Sequence, residues 1–112
     1  MRRGEIWRVD LPRLPGHTQA GIRPAVMLQD DQFLSATPTV LVVPFTSRLS
    51  TTRFPGTLIV QPDGTNGLTV PSVALVFQMS ATDKRNCLQS LGTLDAPTLD
   101  LIFAELDRLT GR

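Results

Sequence analysis

Two short segments concentrate the side chains suited to phosphate chemistry. Gly16-His17-Thr18-Gln19-Ala20-Gly21-Ile22-Arg23-Pro24 holds hydroxyl, amide, imidazole and guanidinium groups, and Pro44-Phe45-Thr46-Ser47 closes a later apolar run with two hydroxyls. A guanidinium beside a Thr-Ser pair suits holding and cleaving a phosphodiester. Cutting RNA at such a linkage requires loss of the ribose 2′-hydroxyl proton, stabilisation of charge on the phosphorane, and a proton for the departing 5′-oxygen. Arg23 is the fixed charge for the second task, although a guanidinium is a poor acid or base. His17 is the one imidazole of the chain, and its ordinary pKa of about 6.5 suits proton transfer.

Each of these residues also has a purely structural reading. Arg23 precedes Pro24, which biases it toward extended backbone and the start of a strand, where an arginine can simply cover a sheet end. Thr46 and Ser47 are equally suited to capping a turn. Gln78 interrupts the apolar run Val73 to Phe77; its amide either satisfies core backbone or reads a base edge.

The elements that must position these groups follow from periodicity. Glu5 to Leu11 alternates, with Trp7, Val9 and Leu11 on one face and Ile6, Arg8 and Asp10 on the other, the pattern of a half-buried strand. Pro12 to Gly16 reads as a loop. Pro24 to Gln29 and Thr39 to Phe45 are short apolar runs bounded by proline and polar residues, which suits core strands. Thr57 to Gln61 and Val73 to Met79 are further strands, separated by turn-rich 62–67 and with Pro71 at the entry of the second. Thr82 to Leu88 is compatible with a short helical turn. Leu99, Ile102, Phe103, Leu106 and Leu109 form one helical stripe, with Asp95 placed to cap it, Pro97 in its first turn and Gly111 beyond its end. The fold class expected is mainly β (α+β): a small antiparallel barrel with a C-terminal amphipathic helix, forming a single domain over residues 1–112.

Composition narrows the function further. A 112-residue chain buries roughly 65% of its unfolded surface, so dimerisation would add usefully to its core. Residues 1–53 hold seven arginines against four acids, a balance of +3, whereas residues 54–112 hold four bases against six acids, a balance of −2. Ten of eleven bases are arginine, the better fork for phosphate oxygens, and the positive half carries both motifs. The asymmetry supports local phosphate binding rather than a general coat for nucleic acid. One cysteine and one histidine leave no internal disulfide and no plausible transition-metal ligand set, so neither metal nor cofactor is expected. Without a signal-type or membrane-length apolar run, a cytoplasmic protein is expected. Cys87 reads as a buried or half-buried thiol without a catalytic task.

Taken together, the segments resemble the MazF/PemK toxins of type II toxin–antitoxin systems. The likeness is carried by Arg3 to Leu11, Gly16 to Pro24, Val43 to Ser47, Gln78 through Thr82 to Arg85, and Leu91 to Leu94. The resemblance implies an SH3-like barrel that forms a homodimer and cuts single-stranded mRNA at short motifs, leaving 2′,3′-cyclic phosphate and 5′-hydroxyl ends. It also implies a cognate antitoxin that masks the RNA groove with a flexible acidic segment. Arg23 and Thr46 match the residues given the catalytic role, and His17 stands where one branch carries a histidine. Gln19, Ser47 and Gln78 match positions near the RNA path; Thr18, Gly21 and Arg48, their neighbours, are expected to share in RNA binding. Thr18 replaces a common glutamate. Leu75 and Phe77 replace the Arg-x-Asp arrangement of one branch, so the acid–base pair of that branch does not carry over. The general base then falls to His17, with a perturbed Arg23 as the second choice. A topoisomerase-poisoning protein of similar fold, like the CcdB toxins, and a member that binds RNA or antitoxin without turnover are the alternatives.

Overall fold

Alternation over Glu5–Leu11 produces β1, and the two apolar runs produce β2 (Gly21–Met27) and β3 (Thr39–Thr46). The computed structural model describes residues 1–12, 16 and 20–112. The remaining elements are a helical turn α1 (Asp31–Leu34), strands β4 (Thr57–Val60), β5 (Ser72–Leu75), β6 (Ser80–Asp83) and β7 (Cys87–Thr93), and helix α2 (Ala96–Leu109). Short 3₁₀ segments span Leu49–Arg53, Val76–Gln78 and Lys84–Asn86.

All pairings between the described strands are antiparallel. The sheet runs β4-β5-β3-β2-β1-β7, with β6 joined to β3. The mainly β architecture with its C-terminal helix is the one expected. The sheet is not closed: β4 and β7 end this order, and β6 pairs with β3 alone.

The unbroken apolar runs have a direct cause. Ala25–Met27 of β2 and Val42–Phe45 of β3 lie between two hydrophobic clusters and are buried on both faces, a situation in which strands lose polar alternation. Val26, Val43 and Phe45 join Ile6, Ala74, Leu99 and Ile102 in one cluster, while Ala25, Met27, Val40 and Val42 join Val9 and Leu11 in the other. β1 divides its side chains as its alternation requires, Ile6 entering the first cluster and Val9 and Leu11 the second. α2 starts at Asp95, whose carboxylate accepts from the Thr98 N–H at 3.2 Å, and lays Leu99 and Ile102 on the first cluster. No described helix is long and apolar enough to cross a membrane.

Two local expectations change. The strand read over Val73 to Met79 ends at Leu75, because the Phe77 N–H leaves the ladder for the Gly56 carbonyl at 3.2 Å. The helical turn read over Thr82 to Leu88 is confined to Lys84–Asn86 between two strands. There Asp83 caps the turn by accepting from the Arg85 N–H at 2.8 Å.

The feature that positions the site is the end of the β2–β3 ladder. It pairs Met27 with Val42, Val26 with Val43 and Ala25 with Pro44, then stops. Proline has no N–H to donate; Pro44 falls at this last rung and Pro24 at the next position along β2, where the ladder stops. Beyond it β3 takes β5 as its partner, pairing Phe45 with Ala74 and Thr46 with Val73, while Gly21 to Pro24 stay paired to β1 alone. Continued by two residues, the same register would set Arg23 opposite Thr46.

Candidate active site

Where β2 and β3 part, a cleft of about 500 Å³ opens, and Arg8, Arg23, Thr46, Ser47, Thr69 and Ser72 are among its lining residues. Arg23 and Thr46 therefore share one cavity. Arg23 is half-buried, and its Nε donates to the Ala20 carbonyl at 3.0 Å. Among the described residues its Nη groups have no hydrogen-bond partner. The guanidinium is thus tethered along one edge, leaving two donors in the fork geometry that matches a phosphate.

Thr46 is buried, with 6% of its surface exposed. Its Oγ1 accepts from the Arg48 N–H at 3.2 Å, a local side-chain-to-backbone turn of the kind threonine favours. This contact holds the oxygen and leaves the hydroxyl proton for a further acceptor. Ser47, exposed, lies beside it in the same cleft. Among the described residues no acid lines the cleft and Arg8 and Arg23 do, so guanidiniums set the sign of the field there.

Gly67 to Val70, the end of the segment 61–70, form a further part of the lining. The Asp63 carboxylate accepts from the Thr65 N–H, the Thr65 hydroxyl and the Asn66 N–H, each at 2.9 Å. These donors, the backbone N–H groups first, hold its pKa below the ordinary carboxylate value. Asn66, fully buried, donates to the Gln61 carbonyl at 2.9 Å and accepts from the Leu68 N–H at 3.0 Å. The loop then locks against β7 through two glycines. A Cβ on Gly67, where φ is +77°, would lie 2.3 Å from the Leu91 carbonyl oxygen, and one on Gly92 would lie 2.2 Å from the Thr65 carbonyl oxygen. Backbone meets backbone here at a distance no side chain permits, and Gly67 to Val70 become cleft wall.

Of the residues singled out from sequence, Arg23, Thr46 and Ser47 come together in this cleft. Gly21 opens β2 and is exposed. Arg48 and Gln78 line a neighbouring cleft with Phe54 and Phe77. His17, Thr18 and Gln19 lie outside the described residues. Cys87 is half-buried, and burial, then the Asp83 charge, push its pKa up, which keeps it a thiol rather than a nucleophilic thiolate. Arg8, Thr69 and Ser72 were missed. The alternation of β1 assigned Arg8 to a polar position, and only pairing with β2 brings it to the cleft, since Arg8 stands across from Pro24. Thr69 and Ser72 carried no sequence signal beyond being small hydroxyl residues near Pro71.

The chain as a whole is similar to known proteins. A sequence model of PemK-like, MazF-like toxins of type II toxin–antitoxin systems matches residues 2–110. The Endoribonuclease MazF of Staphylococcus saprophyticus is 33% identical over 91 residues, covering 81% of this chain and 75% of that protein. Among solved structures, MazF of Deinococcus radiodurans aligns with a TM-score of 0.84 at 25% identity, over 100% of this chain and 97% of its own. A mycobacterial endoribonuclease in complex with its cognate antitoxin shares the fold at a TM-score of 0.78 and 21% identity, over 99% and 95% of the two chains.

Proposed function

This chain belongs to the PemK-like, MazF-like toxins of type II toxin–antitoxin systems, and on that premise we propose that it is a metal-independent endoribonuclease that cuts single-stranded mRNA at short sequence motifs. The observation that carries the reading is the shared cleft of the tethered Arg23 guanidinium and the buried Thr46 hydroxyl.

In this reading the scissile phosphate enters between the parted ends of β2 and β3. The Nη groups of Arg23 hold its non-bridging oxygens, and the Thr46 hydroxyl donates to the oxygen on which charge develops. The ribose 2′-oxygen attacks phosphorus as His17 takes its proton. A bond forms from O2′ to phosphorus and the bond from phosphorus to O5′ breaks; the 5′-oxygen takes a proton from water. The products are a 2′,3′-cyclic phosphate and a 5′-hydroxyl. Fixed donors aimed at developing charge are the largest single contribution such a site offers, and Arg23 and Thr46 are both held by backbone before substrate arrives. Ser47 and Arg8 extend the positive, hydroxyl-rich lining along the RNA backbone, and Thr18 and Gln19 contribute to RNA binding.

The protein works as a homodimer and is neutralised by a cognate antitoxin whose flexible acidic segment occupies the basic clefts. That assignment rests on family membership, and the mycobacterial structure of like fold is itself a complex with its antitoxin.

The test is cleavage of RNA by purified protein in EDTA, with fragment ends mapped. Wild-type protein is expected to yield 5′-hydroxyl and 2′,3′-cyclic phosphate ends. Arg23→Ala and Thr46→Ala are expected to abolish cleavage while keeping the fold. Full activity in both variants, or growth arrest with intact RNA and broken DNA, overturns the reading.

A further inference from the structure

Among the described residues four polar side chains are buried, Thr46, Asn66, Ser72 and Thr82. Thr46 and Ser72 line the cleft of Arg23, and Asn66 adjoins its lining residue Gly67. A buried polar group is costly unless it is bonded, so what these three bind is informative. Each clamps backbone two residues away. The Thr46 oxygen accepts from the Arg48 N–H at 3.2 Å, the Asn66 oxygen accepts from the Leu68 N–H at 3.0 Å, and the Ser72 hydroxyl donates to the Val70 carbonyl at 3.0 Å. The last two clamps bracket one residue, Thr69. It is exposed and lines the cleft, and among the described residues its hydroxyl makes no hydrogen bond. Attachment of the loop to β7 does not use the Asn66 oxygen. That attachment runs through the Thr93 N–H, which donates to the Thr65 carbonyl at 2.9 Å, and through the close approach of Gly67 and Gly92. The Asn66 oxygen is spent instead on the segment between the attachment and the cleft.

We infer that Asn66 is a positioning residue: by fixing the backbone at Leu68 it holds the Thr69 hydroxyl as a donor to an RNA phosphate other than the one gripped by Arg23 and Thr46. The assignment rests on the endoribonuclease reading. A threonine clamped on both sides has lost its backbone freedom before the ligand arrives, so little ordering cost remains on binding. Its partner is an acceptor, because Arg8 and Arg23 set the sign of the cleft and draw an anion into it. A hydroxyl donates to a phosphate oxygen whatever base is attached, so the contact places the strand rather than reads it. The contact is made in the bound ground state and in the transition state alike, and such uniform binding lowers KM while leaving kcat unchanged.

The experiment is a double-mutant cycle of Asn66→Ala, Thr69→Val and the two combined. It is read by steady-state cleavage of a pool of random-sequence RNA 20-mers and by the Kd of the same pool fully 2′-O-methylated, which binds but cannot be cut. Each single variant is expected to raise KM and Kd about tenfold, the loss of one hydrogen bond to a charged group, with kcat within about twofold of wild type. The combined variant is expected to lose no more than either alone, since both changes remove the same contact. Asn66→Ser keeps an oxygen two residues before the Leu68 N–H and is expected to restore KM. Partial unfolding gives a different pattern, in which a smaller active fraction lowers kcat at constant KM. Asp95→Ala, which removes the α2 cap outside the cleft lining, calibrates that pattern. Losses that multiply in the combined variant, a lowered kcat at constant KM, wild-type KM in Thr69→Val, or an Asn66→Ser variant no better than Asn66→Ala would each overturn the assignment. If wild-type protein cuts no RNA but the Kd cycle behaves as described, the contact stands and the catalytic reading fails. Cleavage with KM and Kd independent of Thr69 keeps the catalytic reading and removes this one.

Discussion

Replacing Arg23 by lysine and by glutamine separates charge from geometry at the centre of the site. The guanidinium spends its Nε on the Ala20 carbonyl and keeps two Nη donors for a phosphate. A lysine ammonium is a single point of charge and cannot hold the carbonyl while also forking two phosphate oxygens. Loss of one such donor to the transition state costs about 10²–10³ in kcat, or roughly 3–4 kcal/mol. The fold loses one half-buried side-chain-to-backbone hydrogen bond, worth about 1 kcal/mol, so the activity loss far exceeds any effect of unfolding. Single-turnover cleavage of a short RNA gives the rate. Binding of an uncleavable RNA across a salt series gives the charge, because each phosphate neutralised on a single strand contributes about 0.7 to the slope of log K against log salt. Arg23→Lys should keep the wild-type slope and lose the rate. Arg23→Gln should lose both, its slope flattening by about 0.7. A lysine variant within about threefold of wild-type kcat, roughly half the free energy of one tenfold step, would refute the tethered-fork argument. An unchanged slope for glutamine would show that Arg23 meets no phosphate.

Four further outcomes follow from the same geometry. Thr46→Val preserves shape and removes the buried hydroxyl; it should lower kcat by about 10²-fold or more, cost about 1 kcal/mol of stability through the unpaired Arg48 N–H, and be largely rescued by Thr46→Ser in the same cleavage assay. Gly92→Ala drives a Cβ into the Thr65 carbonyl and the backbone of Asn66 and Gly67; an overpacking cost of about 1–3 kcal/mol should lower Tm by about 5 °C or more and weaken RNA binding, since the displaced segment is cleft wall. Asp63→Asn isolates a charge: the folded-state pKa lies below the ordinary 3.8, so the carboxylate stabilises the fold above that value and ceases to do so as pH falls through the lower, folded one. Thermal melts should separate variant from wild type at neutral pH, and the difference should shrink as pH is lowered below 3.8 toward the depressed folded-state value. Finally, cleavage should decline as pH drops below about 6.5 if His17 is the base; a flat rate between about pH 5 and 8 removes it from that role.

Much of this was legible because it depends on local rules. The alternation of β1, the Asp95 cap with Pro97, and the apolar stripe Leu99–Ile102–Phe103–Leu106–Leu109 each state their own geometry; Leu99 and Ile102 are buried, Phe103 and Leu106 half-buried, and Leu109, at the end of the helix, is exposed. The end of the strand after Leu75 was not legible. Val73 to Phe77 reads as one apolar run, yet what stops it is a hydrogen bond from the Phe77 N–H to Gly56, which depends on where a separate segment packs. The same contact leaves Phe77 exposed rather than in the core. Arg8 illustrates the second kind of gap. Its position facing away from Val9 follows from the period of two, but its arrival beside Arg23 requires knowing that β1 pairs with β2 in the register that sets Arg8 against Pro24. Burial of the loop at Asn66 likewise depends on Gly92, twenty-six residues on in the sequence.

The prolines connect the legible part to the rest. Pro24 after Arg23 and Pro44 before Phe45-Thr46 look from sequence like strand boundaries, but both lie inside strands. Their effect is on the ladder between those strands. Neither can donate, so the β2–β3 pairing ends at Ala25–Pro44, and the next residues on each side are those held nearest to it without being drawn into it. Arg23 stays anchored by β1, through its pairing with Val9, and Thr46 by β5, through its pairing with Val73. The two side chains are thereby fixed by strands on their outer sides with the cleft opening between them, the arrangement a preorganised phosphate site requires. Restoring a donor at either rung, by Pro24→Ala or Pro44→Ala, would let the ladder extend toward Arg23 and Thr46 and close the cleft, so these changes should raise Tm while lowering RNA cleavage. Calorimetry alongside the cleavage assay reads both. A proline variant that gains activity, or loses stability and activity together, would show that the parting of β2 and β3 has another cause.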